Sequence, residues 1–203
     1  MTMIPANRME LLKLKSELKL SKKGHSLLEK KRDTLVTKLI NLMREYKVVK
    51  ANAIDKLGKA HDLLITAEAV SGFNRVKGVS YSSEDAFDID FKSEKIMGVS
   101  LPVYAVEFKK VNANFSPLGL SNYVYGARST YLETVPLMIE ASRIEESIFI
   151  LAEEIKKVKR RVNSLENIRI PALNKDISNV RLMIEEADRE NFIRLKNAKK
   201  KVV

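Results

Sequence analysis

Two histidines, His25 and His61, and a few neighbouring glutamates are the side chains of this 203-residue chain best suited to move a proton or hold a metal. The histidines are far apart and there is no cysteine, which removes disulfides, thiolate metal sites and a cysteine nucleophile. Absence of cysteine also fits a reducing, cytoplasmic location. Glu145 with Glu146, and Glu185 with Glu186, are adjacent on predicted helices. Neighbours on a helix point roughly 100 degrees apart, so neither pair converges as a general acid and base. Gly72 and Gly78 have the wrong spacing for a phosphate loop, and Lys77 precedes the second glycine instead of following it. No serine elbow, HExxH or calcium-loop pattern occurs. The sequence therefore assigns no catalytic, cofactor-binding or metal-ligating residue, and no cofactor. It predicts a protein that works by binding and by mechanical stiffness.

The elements that would carry such a role are long. Leu137, Ala141, Ile144, Ile148, Leu151, Ile155, Val158, Val162 and Leu165 fall at alternating four- and three-residue steps. So do Leu11, Leu14, Leu18, Ser21, His25, Leu28, Arg32, Leu35, Leu39, Leu42, Tyr46, Val49 and Ala53, continued less strictly by Leu57, Ala60, Leu64 and Ala67. That spacing keeps an apolar line on one side only if the helix supercoils left-handedly around a partner. Two matching seams in one chain predict a mainly α fold: a long antiparallel left-handed coiled-coil hairpin of the N- and C-terminal helices, each arm of about 60 residues spanning roughly 90 Å. Residues 1–70 form the first helix of the shaft, with Pro5 and Asn7 as its start signal and Gly24 and Gly58 inside it. Residues 131–203 form the return helix, starting near Ser129 or Thr130, with Pro136 in or near its first turns. Pro171 lies in its interior, where it should bend the helix, and the heptad phase slips between Ile168 and Leu173 before resuming at Leu173, Ile177, Val180, Ile184 and Ala187.

Residues 71–130 differ in kind, holding most of the Phe, Tyr and Gly of the chain, and form an insert at the end distal to the termini. Phe87, Ile89 and Phe91 alternate with Asp88 and Asp90, the period of a strand with one buried face, and a second strand spans about Ser100 to Val111. The intervening KSEKIMGVS predicts a hairpin connection longer than the tight two-residue form. The insert thus contains a short β-hairpin, with Gly119 and Gly126 in irregular chain before the return helix. Its aromatics also fit a base-stacking platform, although interleaved basic residues are sparse.

Three seam positions, Ser21, His25 and Arg32, are polar. Either they weaken the seam in order to fix its register or touch a further partner, or their side chains reach solvent and are tolerated. Ile148, Phe149, Ile150 and Leu151 stand together, as do Leu39, Ile40, Leu42, Met43, Val48 and Val49; both groups exceed what a two-position seam buries and predict a further docked helix. The net charge of +11 would attract nucleic acid, anionic lipid or an acidic protein surface, or belongs to solvated lysines flanking the seams. No apolar run approaches the roughly eighteen residues of a membrane span, and the first residues lack the apolar core of a secretory signal, so a soluble protein is expected.

The opening Pro5, Arg8-Met9-Glu10-Leu11, Leu14-Lys15, Leu18, Gly24-His25 and Leu27-Leu28 resembles the amino-terminal signature of the central-stalk D subunit of V-type and archaeal A-type ATPases. Glu154-Ile155, Arg160-Arg161-Val162-Asn163, Leu165-Glu166, Pro171 and the stretch from Glu186 to Lys196 resemble the carboxy-terminal signature, and Met97-Gly98-Val99 with Pro102 a shorter motif between them. One departure is Ser164, where many members have alanine. The resemblance covers nearly the whole chain. It implies a non-catalytic central rotor shaft that transmits torque between the nucleotide-hydrolysing hexamer and the membrane ion-translocating ring. It also implies a cytoplasmic place, peripheral to the membrane, with neither nucleic acid nor a direct membrane span. The implied partners are the F subunit of the central stalk, the catalytic A and non-catalytic B subunits, and a socket (C/d) protein on the membrane ring. On that basis Arg8, Lys13, Lys15, Lys22, Lys23, Arg181, Arg189, Arg194 and Lys196 are candidates for contact with the hexamer. Met43, Val48, Phe149 and Ile150 are candidates for docking the F subunit, and His25 and Arg32 for seam register. The alternatives are a basic coiled coil associated with nucleic acid, which predicts steeply salt-dependent duplex binding, and a homo-oligomeric scaffold, which predicts a symmetric dimer.

Overall fold

A computed structural model of the chain describes residues 7–82, 87–109 and 119–201. Pro5, Val111 and Pro117 lie outside the described residues, as do the last two residues of the chain. Helix α1 runs Arg8–Ser71. Asn7 starts it as the sequence predicts, its Oδ1 accepting from the Met9 N–H at 3.3 Å and its carbonyl from Leu11 at 3.1 Å. Gly72, at φ +85, ends it by donating to the Glu68 carbonyl at 2.9 Å. Its own carbonyl then accepts from Arg75 and Val76, so a second helix, α2 (Phe73–Ser82), follows at once. The sequence reading did not contain α2, because ten residues rich in Gly, Ser and aromatics carry too short a period to read.

Strands β1 (Phe87–Ile96) and β2 (Val99–Phe108) pair antiparallel, from Phe87↔Phe108 to Ile96↔Val99. The predicted long connection is corrected to a tight two-residue turn, Met97-Gly98, at φ +52 and +80. Positive φ at both central residues matches the right-handed twist of the strands. Opposed residues share a face, so Phe87, Ile89 and Phe91 stand with Tyr104, Val106 and Phe108, while Val99 and Leu101 on the other face are buried.

Helix α3 (Asn122–Ser164) begins eight residues before the predicted Thr130. Ser121 is the cause: its Oγ accepts from the Tyr123 N–H at 3.2 Å and its carbonyl from Val124 at 3.1 Å. Gly126, expected in irregular chain, is helical and backs onto Leu63 of α1, and Pro136 lies well inside the helix instead of in its first turns. A π-helical turn, Leu165–Arg169, follows, with the Ile170 N–H donating five residues back to Leu165; α4 is Ile170–Lys201. The expected irregularity is therefore centred a little before Pro171, which lies just past the π-turn inside a helical backbone that is continuous from Asn122 to Lys201. Without an N–H, Pro171 leaves the Asn167 carbonyl no donor four residues on, and widening the preceding turn spares the ladder that mismatch.

Two compact units divide the chain, one of residues 1–34 and 155–203, the other of residues 35–154. In the first, α1 lies antiparallel to the return segment, as the ion pairs Arg8–Asp188 and Glu17–Arg169 and the contact of His25 with Glu166 show. Leu14, Leu173 and Val180 form its hydrophobic cluster, with Leu11, Leu18, Ile177 and Ile184 packed against them. The second has the same order: Tyr46 meets Glu145, Lys56 meets Glu133, His61 meets Tyr131, and Ser71 Oγ accepts from the Ser121 N–H at 2.9 Å. Its seam changes character along α1. Leucines at 35 and 42 give way to Ala53, Ala60 and Ala67, all buried, while Thr134, Ile144 and Leu151 are buried from α3. Each seam position read from Leu11 to Ala67 and from Leu137 to Leu165 is buried or half-buried; past the π-turn Ala187 alone of the resumed seam is exposed.

Candidate functional site

Helical spacing makes a groove in the second unit. Met43, Tyr46, Lys47, Lys50, Ala51 and Ile54 recur at three- and four-residue steps on α1, and Glu145, Ile148 and Phe149 of α3 close the other wall around about 620 Å³. The floor is apolar. Phe149, 72% exposed, Ile54, 58% exposed, and Met43, 45% exposed, are the large apolar side chains of the lining left open to solvent. The rim is polar and mutually bonded: the Tyr46 hydroxyl donates to the Glu145 carboxylate at 2.9 Å and accepts from Lys50 Nζ at 3.1 Å, with the ammonium 5.1 Å over the Tyr46 ring. The hydrogen bond to Tyr46, with the charge of Glu145 beyond it, holds the Lys50 pKa above its ordinary value. Lys50 therefore keeps its charge beside an apolar surface.

Of the four docking candidates, Met43 and Phe149 line this groove. Val48 is exposed and Ile150 half-buried, and neither contributes to the lining. Five residues beyond Met43 is a rotation of about 140 degrees, and one beyond Phe149 about 100, so both point away from it. Tyr46, Lys50, Ile54 and Ile148 were not among the candidates. Tyr46 and Ile148 read as seam, and Lys50 four residues after Tyr46 was the available signal for a rim.

The basic candidates in the first unit separate into two kinds. Arg8 pairs with Asp188 at 3.0 Å, Lys13 with Glu10 at 3.2 Å, Arg181 with Glu185 at 3.0 Å and Arg194 with Glu190 at 3.2 Å. Such exposed pairs each contribute about 0–1 kcal/mol to stability but cancel charge locally. Lys15, Lys22 and Lys23, joined by Lys19, instead share one face of α1 and line a shallow groove of about 450 Å³ with Leu18 and Ser26. Arg189 and Lys196 are exposed on α4. The two register candidates also differ. His25 faces across to Glu166 at 3.8 Å and along its own helix to Glu29 at 4.0 Å. Arg32 turns to Asp33 at 2.8 Å and Glu29 at 3.6 Å on its own helix.

Elsewhere in the second unit the insert is stitched to the helices by polar contacts. The Tyr104 hydroxyl bonds the Glu146 carboxylate, a contact that raises the Tyr104 pKa. Arg75 donates to the Gly119 carbonyl at 3.1 Å, and Gly119 is held at φ +81. Burial, with the charge of Glu68, pushes the Tyr131 hydroxyl upward beside His61. Among the described residues no three His, Asp or Glu side chains gather into a metal-binding group, and no helix is long and apolar enough to cross a membrane.

Fold and surfaces together define a mainly α protein of paired antiparallel helices, with an apolar groove in one unit and a lysine-rich helix face in the other. Residues 10–200 match the profile of the ATP synthase D-subunit family. The chain is 37% identical to the D subunit of the A-type ATP synthase of Methanobrevibacter smithii, an alignment covering 95% of this chain and 85% of that one. It is 35% identical to the corresponding protein of Pyrococcus furiosus, over 97% of this chain and 93% of the relative, and 34% identical to that of Methanopyrus kandleri, over 95% and 84%. The chain belongs to the ATP synthase D-subunit family.

Proposed function

We propose that this chain is the non-catalytic central rotor shaft of a V/A-type ATPase or ATP synthase, transmitting torque between the nucleotide-hydrolysing hexamer and the membrane ion-translocating ring. The observation that carries this reading is family membership across residues 10–200 together with seams that, as far as Ile184, stay buried or half-buried along both paired helices. A helix pair zipped along its length resists twist, which a torque-bearing element requires. In this reading residues 1–70 and 131–203 are the two helices of the shaft and residues 71–130 the insert at the end away from the termini. The Lys15, Lys22 and Lys23 face, with Arg8, Lys13, Arg181, Arg189, Arg194 and Lys196, meets acidic surfaces of the A and B subunits. The groove at Met43 and Phe149 receives the F subunit, and the insert meets the socket protein. The assembly places the chain on the cytoplasmic side, peripheral to the membrane.

A tagged copy should co-purify from gentle lysate with identified A, B and F subunits. Met43→Asp with Phe149→Asp should remove the F subunit from that set while helicity by circular dichroism is unchanged. Recovery of the tagged chain as a symmetric dimer without any of these proteins would overturn the reading.

A further inference from the structure

Within the first unit the helix pair is not uniformly closed. From Lys15 to Thr34 no residue of α1 is buried, although the seam spacing continues without interruption. The apolar cluster of Leu14, Leu173 and Val180 lies on one side of this stretch. On the return helix the other side is marked by Val158 and Val162, both buried. Between them the seam residues of α1 are Leu18, Ser21, His25, Leu28 and Arg32, with Gly24 beside the two small or polar ones. Facing them is the π-turn Leu165–Arg169, which contains no buried residue.

What spans the gap is charge. Arg169 bonds Glu17 at 3.1 Å, and both side chains are more than half exposed. Glu166 approaches His25 Nε2 at 3.8 Å, beyond hydrogen-bond reach, and that buried nitrogen has no hydrogen-bond partner. An orphaned buried polar atom destabilises the closed form, exposed ion pairs return little, and a π-turn already departs from the α ladder. Three weak features therefore coincide at one level of the helix pair.

We propose that Ser21–His25 and Leu165–Ile170 form a compliant joint, a short length of the helix pair that opens locally while the pairing on either side stays shut. Opening there exposes little apolar surface, because little is buried, and gives water access to His25 Nε2. The flanking clusters keep the register, so the joint yields and recloses in the same pairing. Its existence is a property of the isolated chain; only its use, as the place where the shaft gives under load, rests on the proposed function.

Amide hydrogen exchange on the full chain tests this. Residues 19–28 and 165–172 should exchange at least about tenfold faster than residues 35–49 and 144–158, and also faster than residues 11–14 and 173–180 nearer the chain ends. Uniform protection would overturn the joint. So would protection that falls smoothly toward the termini, because that is end fraying. Ser21→Leu with His25→Leu, which fills the gap, should slow exchange at the joint by about tenfold and leave residues 35–49 unchanged. Pro171→Ala, which restores a donor for the α ladder, should slow exchange at residues 165–172 without altering the α1 seam. Exchange at the joint unmoved by either variant would refute the assignment. Because the readout needs no partner protein, it stands whether or not the chain assembles as proposed.

Discussion

Along α1, residues 35–67 and residues 15–34 follow the same alternation of four- and three-residue steps and reach different ends. In the former Leu35, Leu42, Ala53, Ala60 and Ala67 are buried; in the latter Ser21, His25 and Arg32 hold seam positions and nothing is buried. Spacing decides which side of a helix faces its neighbour. Side-chain chemistry then decides whether that side closes. The alanine stretch closes because methyl groups bring no polar atom to the seam, and Val124, Ala127 and Thr134 at the matching level of α3 are buried too, whereas serine and histidine bring polar atoms that have to be satisfied.

The comparison can be broken most directly at its best-packed leucine. Leu35→Ala should cost about 2–5 kcal/mol, while Leu28→Ala, half-buried in the polar stretch, should cost under about 1.5 kcal/mol; equal losses in chemical denaturation would mean the two stretches pack alike. Ala60→Leu comes next, adding bulk where the side chain is wholly buried. It should destabilise by about 1–3 kcal/mol, and a neutral result would show that the alanine seam has room to spare. The smallest effect is expected outside both stretches, at the hairpin. Met97 occupies φ +52, where Asn is favoured, so Met97→Asn should stabilise by about 0.5–1 kcal/mol, visible as a small rise in melting temperature. A fall would mean that the Met97 side chain itself supports the fold.

Long periodic elements were legible because each residue repeats the same information. The N-cap at Asn7, the course of α1, the return seam, the first half of β1 and most of β2 follow from residue type and period alone. Local decisions made by one or two atoms were not. Ser121 starts α3 eight residues early with a single hydroxyl and carbonyl, Met97 takes a turn position that Asn or Gly usually fills, and Gly72 sends the chain straight into α2. The groove was half-legible: a surplus of apolar residues pointed to Met43 and Phe149, but only the helical angle separates them from Val48 and Ile150. Likewise, a formal charge says nothing of pairing, and the structure alone distinguishes the carboxylate-bound arginines from the lysine face at Lys15, Lys19, Lys22 and Lys23.

The antiparallel order also has a consequence for how the chain acquires its structure. Ser71 and Ser121 are 50 positions apart, His61 and Tyr131 70, Tyr46 and Glu145 99, Glu17 and Arg169 152, and Arg8 and Asp188 180. Each closed contact shortens the loop the next one must close, so pairing propagates outward from the middle of the sequence like a zipper. On the ribosome the first helix is complete long before its mate emerges. Its opening turns, with Leu11, Leu14 and Leu18, wait longest with their apolar side uncovered, and the serine, histidine and arginine of the seam follow directly after them.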